Sequence, residues 1–319
     1  GFPESHSVSF AYLVYSSSWM KLHYPAAFCA ALLNAQPMGF YSPNTLVADA
    51  RRHGVTVRGP DVNLSDAKAT LEPIEGADAQ SAQPAVRLGV EYVRNVGDEL
   101  AKRIAERRPY ASMEDLVRRT GATLPAVEAL STAGAFGSLE LQRREALWSA
   151  GAVAQTADTR LEGVVCGTDA PRLPAMTQPE LTAADLWSTG VAPDSHVVQF
   201  ARPALDAAGA TSVAALEHVP SGRRVSVGGV VTHRQRPATA KGTIFVNLED
   251  ETGILNVICS AGVWANYRRV ARSSPALLIR GRLERAEGVT NLIAERIEAL
   301  SLSTAPPALS PNLRSRDFR

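Results

Sequence analysis

The last third of the chain contains five short, strand-like runs of mainly apolar residues, and apolar and polar positions alternate along the second of them. These runs cover residues 225–233, 243–249, 254–259, 276–282 and 290–295. Alternation with a period of two places successive side chains on opposite faces of a β-strand. A segment with helical periodicity lies between the third and the fourth run. Five strands with a helix at that position predict a small β-barrel.

This order of elements is the topology of the oligonucleotide/oligosaccharide-binding (OB) barrel, which uses its open face to hold single-stranded nucleic acid. In the second run, the alternation places Ile244, Val246 and Leu248 towards the barrel core. Phe245 and Asn247 then face outwards, and an exposed Phe245 is a surface on which a base can stack. A barrel alone does not establish nucleic-acid binding, because one fold serves many functions.

Basic residues follow the first predicted strand of the barrel. Arg234, Arg236 and Lys241 are expected in the first loop, where phosphates would run, and with Phe245 and Asn247 they form the predicted single-strand site. Residues 223–300 contain twelve Lys/Arg and seven Asp/Glu. The alternative is a barrel that docks a protein, with Phe245 covered by a neighbour.

The first half of the chain shows helical periodicity with clear start and stop signals. Pro25 begins one predicted helix, and a second covers Pro43 to Arg52, stopped by Gly54. The fold class is therefore multidomain α + β, with an N-terminal helical segment, a tandem helix-hairpin-helix region and a C-terminal five-stranded OB barrel. The predicted domains are the helical segment at 1–70, a loop with the hairpin region at 71–150, a linker with short helices at 151–220, the barrel at 221–302 and an extended, exposed tail at 303–319.

Residues 88–106 have the pattern of a helix-hairpin-helix motif. Asn95, Val96 and Gly97 form the predicted turn, with Asn95 in a left-handed conformation and a new helix starting at Asp98. Backbone N–H groups at such a turn can bind one DNA phosphate without regard to sequence. The predicted duplex phosphate site consists of Arg94, Asn95, Val96, Gly97, Lys102 and Arg103. The alternative is a plain helical bundle in which Gly97 is a helix C-cap. A second hairpin-like unit follows at 113–136.

Charge and cysteine content narrow the functional classes. The formal net charge of +1 excludes a bulk electrostatic nucleic-acid binder, although local basic patches remain possible. Three scattered cysteines, Cys29, Cys166 and Cys259, predict neither a disulfide framework nor a zinc site, which favours a reducing, cytoplasmic location. No apolar run is long enough for a membrane span. The acidic residues 249–251 are expected in a solvated turn, so no metal site is predicted.

Several motifs together resemble one protein family. They lie at residues 1–7, 18–28, 34–43, 49–54, 233–240, 248–253 and 315–318. The set is similar to the C-terminal part of bacterial C-family DNA polymerases, and specifically to their error-prone, damage-inducible branch (DnaE-like, ImuC). The first 70 residues resemble the end of the polymerase fingers. Because Gly1 rather than Met begins the sequence, we expect a fragment of a longer protein.

The resemblance implies a DNA polymerase for translesion synthesis whose palm, with its metal-binding carboxylates, lies outside this chain. It therefore predicts no catalytic residue and no cofactor here, with Mg²⁺ expected for the parent polymerase. The implied partners are primer-template and single-stranded template DNA, an inactive Y-family-like protein (ImuB), a RecA-like protein and, indirectly, the sliding clamp. Ser5, His6 and Ser7 are candidates for the nucleotide pocket, and a helix cap formed by Ser5 or Ser7 is the alternative.

Two further functions stay open from the residues alone. The chain can be a free-standing nucleic-acid-binding module without a catalytic role, or a scaffold whose barrel docks partner proteins. The dependence of DNA affinity on salt separates these two, because phosphate contacts release counterions and protein docking does not involve DNA.

Overall fold

The computed structural model describes residues 4–39, 41–74, 76, 83–154, 170–171, 173–286, 288–302 and 315–318. The chain divides into two compact units. The first unit comprises Gly1–Pro37, Asp49–Met176 and Ser188–Pro193, and the second comprises Met38–Ala48, Thr177–Trp187 and Asp194–Arg319. None of the described helices is both long and apolar enough to cross a lipid bilayer.

Three helices occupy the N-terminal segment: α1 (Glu4–His23), α2 (Pro25–Asn34) and α3 (Pro43–Arg52). Proline at the first position of α2 starts that helix as predicted, because its fixed φ suits a position that needs no N–H partner. The predicted bounds of α3 are confirmed, and Gly54 follows it with φ 78°. Many large apolar side chains of α1 are exposed, among them Phe10, Tyr12 and Tyr15.

A small sheet follows, which the helical interpretation of residues 1–70 did not include. Its strands are β1 (Val57–Arg58), β2 (Thr70–Glu72) and β3 (Ala85–Arg87), in the order β1-β3-β2. Strand β3 pairs with β1 in parallel and with β2 antiparallel, so residues 73–84 connect a hairpin, as the loop prediction allowed. Short strands with few alternating positions carry too weak a pattern to be separated from loop in the sequence.

An ion pair stabilises this sheet. Arg87 Nε lies 2.6 Å from Glu72 Oε1, and Arg58 Nη1 lies 2.8 Å from Glu72 Oε2. Partial burial alone would raise the pKa of Glu72, but the hydrogen bonds from Arg87 and Arg58 outweigh it and hold the pKa below its ordinary value.

The hairpin region contains a 3-10 turn at Val90–Tyr92 and four helices: α4 (Asp98–Glu106), α5 (Met113–Thr120), α6 (Leu124–Ala133) and α7 (Arg143–Val153). Ser112 caps α5 by accepting a hydrogen bond from the Asp115 N–H at 3.1 Å. Gly121 and Gly134 end α5 and α6 in the left-handed conformation that suits glycine. Buried side chains such as Ile104 and Phe136 form the core of the hairpin region.

The described part of the predicted linker contains short helical elements. Helix α8 covers Gln178–Ser188, α9 covers Arg202–Ala207, and a 3-10 turn covers Ala214–His218. The part of the predicted linker at 155–169, together with Cys166, lies outside the described residues.

The barrel is built from β4 (Arg224–Gln235), β5 (Ile244–Glu249), β6 (Ile254–Cys259), helix α10 (Ala261–Ser273), β7 (Ala276–Ala286) and β8 (Val289–Ala299). The strands pair in the order β5-β6-β8-β7-β4, and an additional β4–β5 pairing closes the ring. The five predicted strands and the helix between the third and fourth are therefore all present. Residues with even numbers on β5, namely Ile244, Val246 and Leu248, are buried in the barrel core as predicted.

Strand β4 bends so that it can pair with both β7 and β5. Its register shifts between Val231 and His233, which is the mark of a β-bulge. Gly229 permits close approach at this bend, since a Cβ there would lie 2.8 Å from the carbonyl oxygen of Glu249.

The end of the predicted extended tail forms a strand of the barrel sheet. Strand β9 (Arg316–Phe318) pairs in parallel with the end of β4, with Arg316 opposite His233 and Phe318 opposite Gln235. Residues 303–314 and 319 of the predicted tail lie outside the described residues. Backbone pairing of β9 uses N–H and C=O groups that β4 leaves open beyond its contact with β7.

Candidate nucleic-acid interface

The first hairpin turn (Arg94–Gly97) has the backbone geometry that the sequence predicts. Asn95 is left-handed with φ 63°, and its side-chain amide donates a hydrogen bond to the Pro125 carbonyl at 3.2 Å. Val96 is buried and anchors the turn. Gly97 is the N-cap of α4 with φ −74° and ψ 167°, so the alternative assignment of Gly97 as a C-cap is wrong. The first N–H groups of α4 therefore point away from the helix without intrahelical partners.

Acidic side chains surround that turn. The first two residues of α4 are Asp98 and Glu99, and Lys102 Nζ lies 2.7 Å from Asp98 and 3.7 Å from Glu99. The hydrogen bond from Lys102 lowers the pKa of Asp98, and the same bond raises the pKa of Lys102. Arg94 is exposed. In the structure Lys102 therefore pairs with carboxylates, whereas the sequence analysis assigned it to phosphate binding.

The second hairpin turn (Gly121–Thr123) repeats this backbone. Gly121 is left-handed with φ 69°, Ala122 is buried, and Thr123 is the N-cap of α6 with φ −79° and ψ 160°. These residues correspond one by one to Asn95, Val96 and Gly97. Unlike α4, helix α6 carries no acidic residue in its first turn.

Four arginines surround the second turn. An open depression of about 680 Å³ is lined by this turn and by the arginine cluster, which consists of Arg103, Arg107, Arg118 and Arg119. Of the six residues predicted for the first phosphate site, Arg103 thus lies beside the second turn. Sequence reasoning did not single out the other three arginines. The signal was Arg118-Arg119 two residues before Gly121, followed by a proline in the first turn of a helix.

Internal contacts fix part of the arginine cluster in place. Arg119 Nη1 donates to the Pro109 carbonyl at 2.8 Å and lies 3.1 Å from Asp115, and its guanidinium stacks 4.9 Å from the centre of the Tyr110 ring. Arg119 and Arg107 also donate to each other's backbone carbonyl. Among the described residues, Arg103 and Arg107 form no ion pair. Fixed cations around an open depression form a site for anions.

The outer face of the barrel carries uncharged side chains in cross-strand pairs. Phe245 lies opposite Ile258, and Asn247 lies opposite Asn256. The side-chain amide of Asn256 donates to Asn291 Oδ1 at 2.7 Å, which extends the row to β8. All five side chains are half-buried. Phe245 faces outwards as predicted, but its side chain is less exposed than the prediction stated.

Asn256 and Asn291 were missed as candidate site residues. The alternation along the strand could have identified Asn256. It stands two positions after Ile254, on the face opposite to the buried Leu255 and Val257, so its side chain faces outwards. Amides beside an aromatic ring can pair with base edges while the ring stacks on a base.

Arg234 does not lie in a loop, because β4 continues to Gln235. The residue is 6% exposed, and its guanidinium donates to the carbonyls of Ala271 at 2.7 Å and Ser274 at 2.8 Å, and to Ser315 Oγ. A guanidinium with its donors directed at backbone oxygens holds the barrel together. Its prediction as a single-strand contact is wrong for that reason.

Arg236 and Lys241 do lie in the loop between β4 and β5 as predicted, and both are exposed. Lys241 has φ 48° and follows a 3-10 turn at Ala238–Ala240. Neither forms an ion pair within the described part of the chain. Two free cations at the edge of the uncharged face match the arrangement expected for a nucleic-acid backbone.

The acidic run at 249–251 is part of the structure of the barrel and is largely buried, which corrects the expectation of a solvated turn. Asp250 is fully buried and accepts hydrogen bonds from the N–H groups of Thr252, Gly253 and Val213 at 2.8, 3.0 and 2.9 Å. Arg202 lies 3.0 Å from Asp250 and 2.6 Å from Glu251. Across the described residues, no group of three His, Cys, Asp or Glu side chains is placed to hold a metal ion.

The candidates for a nucleotide pocket lie at the start of α1. Ser5, His6 and Ser7 are helical residues after Glu4, so the alternative of an N-cap at Ser5 or Ser7 is wrong. The His6 ring contacts Phe10 edge to face at 4.6 Å between centroids.

Models of two protein families match the two regions described above. The helix-hairpin-helix motif matches residues 54–146, and the OB-fold nucleic acid binding domain matches residues 225–300. The predicted fold class is thereby confirmed.

Curated proteins match the whole chain. It is 54% identical over 323 residues to the error-prone DNA polymerase of Mycolicibacterium paratuberculosis and 52% identical over 331 residues to that of Nocardia farcinica. Each alignment covers 100% of this chain and 28% of the polymerase, so the chain spans less than a third of these relatives. Among solved structures, asparaginyl-tRNA synthetase from Pyrococcus horikoshii aligns over 31% of this chain and 27% of its own, with 20% identity and a TM-score of 0.25, which is too low to support an argument.

Proposed function

Because the chain matches a C-terminal part of the error-prone DNA polymerases over its whole length, we propose that it is the DNA-holding part of such a polymerase, acting in translesion synthesis. The observation that carries the proposal is the pair of hairpin turns with equivalent backbones, the second of which is lined by four arginines. In this proposal the hairpin region holds duplex DNA by its phosphates.

The barrel is proposed to bind the single-stranded template. Phe245 offers a ring for stacking, the amides of Asn247 and Asn256 offer donors and acceptors, and Arg236 and Lys241 supply charge for phosphates. Stacking on an aromatic ring tolerates every base, which suits the copying of any sequence.

Nucleotidyl transfer is assigned to the part of the polymerase outside this chain. Two-metal catalysis needs clustered carboxylates, and the described residues contain no such cluster. Mg²⁺ therefore belongs, in this proposal, to the parent enzyme, and the chain alone is expected to have no polymerase activity. A Y-family-like partner (ImuB), indirect contact with the sliding clamp and a cytoplasmic location are proposed from the family resemblance.

Fluorescence anisotropy with labelled single-stranded, duplex and primer-template DNA tests this proposal. Between about 50 and about 200 mM salt, phosphate-dominated binding weakens by an order of magnitude or more. Phe245→Ala should reduce single-strand affinity by roughly tenfold, within the ~1–3 kcal/mol of one base stack, and leave duplex affinity unchanged. Trp148→Ala is the matched control, since Trp148 is an exposed aromatic residue on α7, which is not part of the barrel.

Protein docking by the barrel is the second candidate, favoured by the apolar pair of Phe245 and Ile258 on its outer face. If the chain binds duplex but not single-stranded DNA, the barrel is assigned to docking. Failure to bind any DNA at either salt concentration would overturn the whole proposal.

A further inference from the structure

The two hairpin turns share a backbone but differ in the charges around them. We propose that the second hairpin turn (Gly121–Thr123), with its arginine cluster, makes the dominant phosphate contact with duplex DNA, and that the first turn contributes little. This inference rests on the proposed DNA-holding function and names the part of the region that performs it.

The first turn is close to electrically neutral. The charges that face it are the cations Lys68, Arg94 and Lys102 and the carboxylates Glu91, Asp98 and Glu99. Three positive and three negative groups cancel. Asp98 and Glu99 also stand at the helix N-terminus, where a carboxylate takes the place that an anionic ligand would need. A DNA phosphate approaching this turn therefore meets repulsion from two carboxylates.

The second turn is strongly basic. Four arginines line its depression, and Asp115 lies 3.1 Å from Arg119 and 3.7 Å from Arg118. Leu124 and Pro125, at the first two positions of α6, carry no charge that competes with a phosphate for the helix N-terminus.

The arginines of the cluster differ in their contacts. Arg107 and Arg119 donate to backbone carbonyls, and Arg119 also stacks on Tyr110, so these two shape the depression. Arg103 is exposed on α4 and forms no ion pair among the described residues. Arg103 is therefore the residue assigned first to the phosphate, and Arg118 lines the same depression.

The depression suits the backbone of a polymer better than a small molecule that needs an enclosed pocket. It is open to solvent, contains no aromatic side chain for a base among its lining residues, and presents its charges along the ends of two helices. Contacts of this type recognise phosphates independently of base sequence.

Single substitutions at the two turns, made in the otherwise intact chain, test the assignment of the phosphate contact to the second turn. Arg103→Gln and Arg118→Gln should each lower affinity for a random-sequence duplex by about tenfold, and each should reduce the slope of log affinity against log salt by about one. Arg94→Gln is the matched control at the first turn, with an expected change below about twofold. Thermal melting of each variant, followed by circular dichroism, checks that the fold is retained.

Equal losses for Arg94→Gln and Arg103→Gln would overturn the assignment to the second turn and leave DNA holding intact. Unchanged duplex affinity in the Arg103 and Arg118 variants would also overturn it. If the unmodified chain binds no duplex, both this assignment and the proposed function fail. If an acidic peptide such as poly-glutamate competes with DNA and binds as tightly, the site is a protein-docking surface and the assignment to DNA is wrong.

Discussion

The first and second hairpin turns share one backbone geometry but differ in the charges beside it. Asn95 and Gly121 both adopt the left-handed conformation, each is followed by a buried aliphatic residue, and each turn opens a helix. The side chains at the first helical positions differ: Asp98 and Glu99 in one, Leu124 and Pro125 in the other. Because free N–H groups at a helix start attract any nearby carboxylate, a motif defined by its turn alone does not identify which copy binds DNA.

The largest expected effect comes from breaking the second turn itself. Gly121→Val places a β-branched residue at φ 69°, which should destabilise the fold by about 1–2 kcal/mol and abolish tight duplex binding. Gly97→Ala is the control, because φ there is −74° and no atom lies within 4 Å of the new Cβ; its stability should stay within ~0.5 kcal/mol. Urea unfolding followed by circular dichroism measures both, and equal destabilisation would show that the positive φ at Gly121 is not the cause of the loss.

An acidic residue can make the second turn resemble the first. Leu124 is 39% exposed at the first position of α6, so Leu124→Asp places a carboxylate where Asp98 stands in the first turn. Repulsion of phosphate should lower duplex affinity by about 1–2 kcal/mol, or roughly tenfold. Leu124→Asn, a variant of the same shape without the charge, should retain most of the affinity. Equal losses in both variants would point to lost packing instead of charge.

Removing acid from the first turn is the converse experiment and has a smaller expected effect. Asp98→Asn combined with Glu99→Gln should raise duplex affinity about threefold, since exposed charges are partly screened by salt. In that background Arg94→Gln should become detectable, with a loss of about threefold. An Arg94 variant that stays silent after both acids are removed would show that the geometry of the first turn does not reach DNA.

The smallest expected effect is the response to pH. Lys102 holds the pKa of Asp98 below its ordinary value of 3.8, and Asp98 raises the pKa of Lys102 above its ordinary value of 10.5. The pair therefore stays ionised from about pH 5 to about pH 9, and its contribution is lost as pH falls through the lowered pKa of Asp98 or rises through the raised pKa of Lys102. The affinity ratio between the unmodified chain and Asp98→Asn should be constant across this range in anisotropy titrations; a ratio that changes near neutral pH contradicts the assignment.

The barrel could be predicted from the sequence because its five strand-like runs, and the helix between the third and the fourth, are visible in the pattern of apolar residues. On β5, Ile244, Val246 and Leu248 are buried and Phe245 and Asn247 face outwards as predicted, whereas Glu249 at the end of the strand is also buried. Helix starts and ends were equally clear where proline and glycine mark them, as at Pro25 and Gly54. These signals are local, so no knowledge of distant contacts was needed.

The functions of charged residues were harder to predict, since they depend on contacts far apart in the chain. Arg234 donates to Ala271 and Ser274, which lie 37 and 40 residues further on. Lys102 and Arg103 are adjacent in sequence, yet one pairs with Asp98 and the other faces the second turn. Periodicity shows that a residue is outside the core, but it does not show which charge stands opposite.

The hydrogen bonds of Asp250 determine at which residue a separately expressed barrel domain can begin. This fully buried carboxylate binds the N–H of Val213 and the guanidinium of Arg202, both of which precede the predicted start of the barrel at 221. A recombinant barrel that began at 221 would keep the buried charge and lose two of its partners, at a cost of several kcal/mol. Expression of the barrel by itself therefore requires a boundary before Arg202, and a shorter version is expected to misfold or to be degraded in the host cell.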